Sequence, residues 1–176
     1  MLRQPWQVAG YPNQIRGMDF VSDALFDGRR LRMLTVIDLY PRECLAIAVG
    51  QRLTGEDVAR TLEQICIERS QPEVLKMDNG SDFAGKVLDR LAYEKQVSID
   101  SSRPGKSTDN ATVESFNGSL RQECLNANLF LSLDDAKTKV EKWRLFYNQL
   151  RPHSSLGWIS PVVYAEKHEL GECDPG

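Results

Sequence analysis

Residues 15–50 carry short runs of apolar and β-branched residues broken by turn formers, and they read as three strands. The first is IRGMDFVSDALF, ending at Asp27-Gly28, a dipeptide that favours a two-residue hairpin turn. The second is LRMLTVIDLY, and Pro41-Arg42 turns it into the third, ECLAIAVG. The period then changes. Thr54 offers an N-cap with Asp57 three positions on, and Val58, Leu62, Ile65 and Cys66 recur at helical spacing, which predicts a helix over 54–69. Gln71-Pro72 breaks it. Val74–Met77 forms a short buried strand that runs straight into Asp78-Asn79-Gly80. Val87, Leu88, Leu91 and Ala92 mark a second helix, and residues 97–100 a fifth strand. After the polar loop SSRPGKST, Thr108 or Asp109 caps a third helix running to about 125. Ser132 caps a fourth, with Ala136, Val140, Trp143 and Tyr147 along one face, before Pro152. The order βββ-α-β-α-β-α-α predicts an α/β fold, a mixed five-stranded sheet flanked by helices of RNase H-like type. Residues 1–14 read as an irregular leader, 15–167 as one catalytic-core domain and 168–176 as a tail.

Length, at 176 residues, allows one full domain with a sizeable core. Neither a membrane-length apolar run nor a signal-peptide pattern is present, so a cytoplasmic location is expected. Four widely spaced cysteines and two histidines argue for reduced thiols and against a Cys/His zinc site. The net charge of −3 weighs against a generic nucleic-acid binder, which carries a basic excess.

Three acids stand out by their placement. Asp19 interrupts the first, apolar strand, where a charge is costly unless paired or metal-bound. Asp78 closes the fourth strand, at the end where open α/β sheets place ligands. Glu114 falls in the first turns of the third helix, with 35 residues between it and Asp78. Singly, each has an ordinary reading: a solvated strand residue, a turn, a helix surface. Jointly they suit hard cations such as Mg²⁺ or Mn²⁺, and three carboxylates can hold two ions about 3.5–4 Å apart for phosphoryl transfer.

The strings MDFVSD, KMDNGSDF and RPGKSTDNATVESFNGSLRQECLN resemble the integrase-core signature of bacterial insertion-sequence transposases, above all the second-frame product of the insertion sequence three family. WRLFYNQLRPHSSLGWISPVVYA resembles that family's C-terminal signature. The resemblance implies an Asp-Asp-Glu triad of Asp19, Asp78 and Glu114 binding two Mg²⁺ (or Mn²⁺) ions, and DNA strand cleavage followed by strand transfer. It implies transposon-end and target DNA as partners, a homo-oligomer assembled on DNA, and a bacterial, nucleoid-associated location. The family's basic residue seven positions after the glutamate corresponds to Arg121, two helical turns along the same face and a candidate DNA contact. The family also carries helix-turn-helix segments upstream, whereas about 18 residues precede Asp19 here, so the main DNA grip is expected outside this stretch. Arg103, Lys106 and Asn110 are candidate DNA contacts, with a solvated loop and helix cap as the plainer reading. Arg29-Arg30-Leu31-Arg32 reads as an exposed hairpin face rather than a phosphate patch. Trp143, Phe146 and Tyr147 read as core, His153 as packing the tail onto the core, and Cys44, Cys66 and Cys124 as small core residues. The competing functions are an RNase H-like nuclease without strand transfer, and a truncated fragment regulating a full-length transposase.

Overall fold

The structure, a computed structural model, describes residues 8–78, 85–102, 111–169 and 171. Five strands form one sheet in the order β3-β2-β1-β4-β5. β1 (Ile15–Ala24), β2 (Arg30–Asp38) and β3 (Glu43–Gly50) make an antiparallel meander. β4 (Val74–Asp78) and β5 (Ser98–Ser102) run parallel to β1. The crossovers are the helices α1 (Gly55–Glu68) and α2 (Gly85–Lys95), followed by α3 (Ala111–Leu120), α4 (Leu133–Gln149) and α5 (Pro161–Glu169). This is the RNase H-like arrangement that the element order predicted.

Strand alternation divides the core into two layers. On one face Met18, Leu34, Val36, Leu75 and Met77 meet Val58, Leu62 and Ile65 of α1 and Leu88 and Leu91 of α2. On the other, Val21, Met33 and Ile37 meet Val113, Phe116 and Leu120 of α3 and Ala136, Val140, Trp143 and Tyr147 of α4. The rings of Phe116, Trp143 and Tyr147 pack with centroids 4.8–5.5 Å apart. Two of the predicted caps form, and Thr108 and Asp109, the candidates for α3, lie outside the described residues. Thr54 and Asp57 close a reciprocal capping box on α1, and Ser132 Oγ accepts from Asp135 N at 3.0 Å.

Four features differ from the sequence reading. The β1–β2 connection is longer than the two-residue turn that Asp27-Gly28 suggested. Leu25 N donates to Arg29 O at 2.8 Å, and Gly28, at φ 86°, supplies the left-handed residue. The third helix does not stay α to its end, because residues Arg121–Leu125 form a π-helical turn. Phe146 is 43% exposed rather than core. A fifth helix, α5, begins at Pro161, whose missing N–H costs nothing at a helix start.

Candidate active site

Asp19 sits on the central strand, opposite Thr35 of β2. Alternation gives it the face of Val21, towards α3 and α4, while its neighbours Met18 and Phe20 pack on the α1–α2 side. Its carboxylate is half-buried and held. Oδ1 accepts from the Phe20 amide at 2.8 Å, and Oδ2 accepts from Asn117 Nδ2 of α3 at 3.0 Å. The fully buried Thr35 hydroxyl donates to Asn117 Oδ1 at 3.0 Å and lies 3.3 Å from the Asp19 carbonyl oxygen. Strand, neighbouring strand and helix are thus tied at one point by an amide whose two ends are both used.

Asp78 ends β4. The parallel ladder pairs Met18 with Met77, so the next residue of each strand, Asp19 and Asp78, comes level across the β1–β4 seam. On its other edge Asp78 pairs with Ser102 of β5. Glu114 lies exposed in the first turn of α3, three residues before Asn117. Residues three apart are neighbours on a helix, so Glu114 sits one turn from the amide that holds Asp19. Among the described residues, in which the Asp78 side chain is not counted, no three His, Cys, Asp or Glu side chains are grouped to hold a metal ion.

Arg121 continues the stripe of Glu114 and Asn117, and its Nη2 donates to Ser22 O of β1 at 2.8 Å. α3 and β1 therefore run side by side in the same direction, Asn117 at Asp19 and Arg121 at Ser22. The guanidinium has further N–H groups beyond that tether. Arg103, Lys106 and Asn110, like Asn79 and Asp109, lie outside the described residues. Asn117 and Thr35 were not singled out in the sequence. A threonine midway along the apolar run LRMLTVID was the one available signal for them.

Several polar groups elsewhere make structural contacts. Glu43, largely buried, forms a two-pronged ion pair with Arg69, at 2.5 and 3.0 Å. Arg16, beneath α1, donates to Ser70 O at 2.6 Å. His153 packs edge-on to Tyr147 at 4.7 Å, the packing role expected of it. Cys44 and Cys124 are buried free thiols, and burial pushes the Cys124 thiol up to about 11.

Two family models, both described as the integrase core domain, match residues 10–107 and 95–161. An uncharacterized 31.7 kDa protein of insertion element IS407 from Burkholderia multivorans is 40% identical over 166 residues, covering 94% of this chain and 60% of that protein. The transposase InsF of insertion sequence IS3A from Escherichia coli is 28% identical over 171 residues, covering 96% of this chain and 59% of its own length. The chain therefore spans roughly three-fifths of these relatives. Among solved structures, the HTLV-2 integrase catalytic core domain in complex with magnesium superposes with a TM-score of 0.69 at 17% identity, covering 89% of this chain and 98% of that one. That likeness shows the fold.

Proposed function

Because the chain belongs to the integrase core domain family, we propose that it is the catalytic core of an insertion-sequence transposase, a polynucleotidyl transferase acting on DNA through Asp19, Asp78 and Glu114. One observation carries the reading. Asp19 and Asp78 are level on adjacent central strands, and Asn117, one turn from Glu114, is bonded to the Asp19 carboxylate. Such a donor set is oxygen only, which fits Mg²⁺ or Mn²⁺ and not a thiol- or imidazole-seeking metal. Two bound ions would stabilise negative charge on the attacking and leaving oxygens of a phosphodiester.

The protein's own part is placement. The β1–β4 seam supports the reading by bringing Asp19 and Asp78 level in sequence register on the sheet, and α3 carries Glu114 on a separate element. Positioning and charge neutralisation are most of what phosphoryl transfer requires. The reaction has two steps of one kind. Water attacks a phosphodiester and displaces a 3′-OH, and that hydroxyl then attacks a second phosphodiester and displaces another. Transposon ends and target DNA are the substrates, in a homo-oligomer assembled on them. Recognition of end sequences would fall to helix-turn-helix segments of the kind that the family resemblance implies.

The test is a nicking and strand-transfer assay with Mg²⁺ on DNA bearing a pre-cut end. Wild-type protein is expected to cleave and join. Asp78→Asn keeps size and removes charge, so it is expected to abolish both while the fold persists. Cleavage without joining would make the protein a nuclease, and full activity in Asp78→Asn would put the chemistry elsewhere.

A further inference from the structure

On the opposite flank of α3 from Glu114 and Arg121, a cleft of ≈ 330 Å³ opens between the helix, the β2–β3 turn and the segment that follows α4. At 100° per residue, Ser115 and Ser119 lie about half a turn from Asn117, so this cleft is separate from the three-acid site. Its walls include Arg42, Arg151, His153, Trp158 and these two serines. Its volume is at the lower end of the ~300–1,000 Å³ typical of small-ligand clefts, room for a nucleotide-sized unit and not for a duplex.

Three features single this cleft out. First, Arg42 and Trp158 hold left-handed backbone, with φ 60° and 66°, two of the four non-glycine residues that do so among the described residues. That conformation is costly for a large side chain and concentrates where function demands it. Second, the Trp158 indole that this backbone presents is 72% exposed on the rim. Third, His153 Nε2 is buried without a hydrogen-bond partner among the described residues. Charge adds to the picture. Glu123 takes the Nε and Nη2 edge of Arg151 at 2.9–3.1 Å, which leaves Nη1 for another acceptor. Arg42 forms no ion pair among the described residues.

We propose that this cleft binds one nucleotide of single-stranded DNA, with a backbone phosphate between Arg42 and Arg151 and the unpaired base stacked on Trp158. Guanidinium groups and hydroxyls suit a phosphate, and an exposed indole offers the sequence-tolerant stacking surface of single-strand binders. The choice of DNA as ligand rests on the function proposed above; the site itself rests on the cleft.

Burial, and then the positive charges of Arg151 and Arg42, push the His153 imidazole down to about 4, with Glu123 pulling the other way. A phosphate seated between the two arginines cancels part of that charge, so it raises the imidazole's titration point. The chain has only two histidines, so the shift can be followed by nuclear magnetic resonance.

The experiment titrates a fluorescently labelled oligothymidylate of about eight nucleotides, within the ~4–16 of common single-strand sites, with the full chain in EDTA. Anisotropy is expected to report binding that Arg42→Asn and Trp158→Asn each weaken by about ten-fold or more, the size of one lost stacking or charged contact. Asparagine tolerates left-handed backbone, so both variants keep the fold, as thermal unfolding checks. Undiminished affinity in both cleft variants, equal affinity for duplex of the same length, or an imidazole of His153 that titrates identically with and without the oligonucleotide would each overturn the proposal. An Asp78→Asn protein that still cleaves refutes the catalytic reading and leaves this one standing.

Discussion

Asn117 can join Asp19 to Thr35 only as an amide. Its Oδ1 accepts from the threonine hydroxyl while its Nδ2 donates to the carboxylate, and neither a carboxylate nor an alkyl chain does both. Asn117→Ala is expected to lower the unfolding free energy by about 1–2 kcal/mol, and Thr35→Val by about 1 kcal/mol, in urea titrations. Unchanged stability in both would mean that this link carries no weight. His153 gives a pH signature. Its folded-state titration point, about 4, is below the ordinary 6.5, so below 6.5 the unfolded chain takes up the proton first. Stability is therefore fully present above pH 6.5 and is lost as pH falls towards 4. His153→Gln is expected to flatten that part of the stability-versus-pH curve, and an equally steep curve would assign the effect to another group. Asp19 was legible in the sequence because an acid inside an apolar strand needs a reason. Asn117 was not, since an amide on a helix is ordinary until the register of β1 against β2 is known. Phe146 misled for a related reason. It lies beside Tyr147 in sequence, but the buried stripe runs through Ala136, Val140, Trp143 and Tyr147 and leaves it facing out.

At the scale of elements, α4 is hydrogen-bonded to the sheet's edge chiefly through Asn148. Asn148 accepts from Cys44 N at 2.7 Å and donates to Cys44 O at 2.8 Å, so it stands in for the strand that β3 lacks on its outer side. Asn148→Leu deprives Cys44 N of its acceptor, while Cys44 O keeps the Arg144 guanidinium as donor at 2.9 Å. The expected cost is about 2–3 kcal/mol by chemical denaturation. Thr54→Ala removes one half of the α1 capping box and is expected to cost about 1 kcal/mol. Helix starts were readable because caps are local chemistry, and Thr54 and Ser132 both act as their sequences implied. The π turn was not readable. Its Asn126 N to Arg121 O bond of 2.8 Å brings both Cys124 and Leu125 to the core, a choice made by packing against α4 and not by the residues of the turn.

Across the whole molecule, the net charge of −3 limits what the chain does alone. Its DNA binding is expected to be weak, of little sequence preference, and to loosen further as salt rises from ~50 to ~200 mM. Tight, sequence-selective binding by these residues at physiological salt would contradict that. The sheet order was legible as a class, since a meander followed by strand–helix alternation allows few topologies. The place of β1 at its centre has a consequence in time. Its antiparallel partner β2 is a short loop away, but its parallel partner β4 arrives only after the rest of the meander and the whole of α1. Contacts that close long stretches of chain form slowly. A refolding molecule is thus expected to protect β1–β2 amides from hydrogen exchange before those of β4. Asp19 and Asp78 would then come level only once β4 docks, and a half-folded chain lacks the pairing on which the proposed site depends.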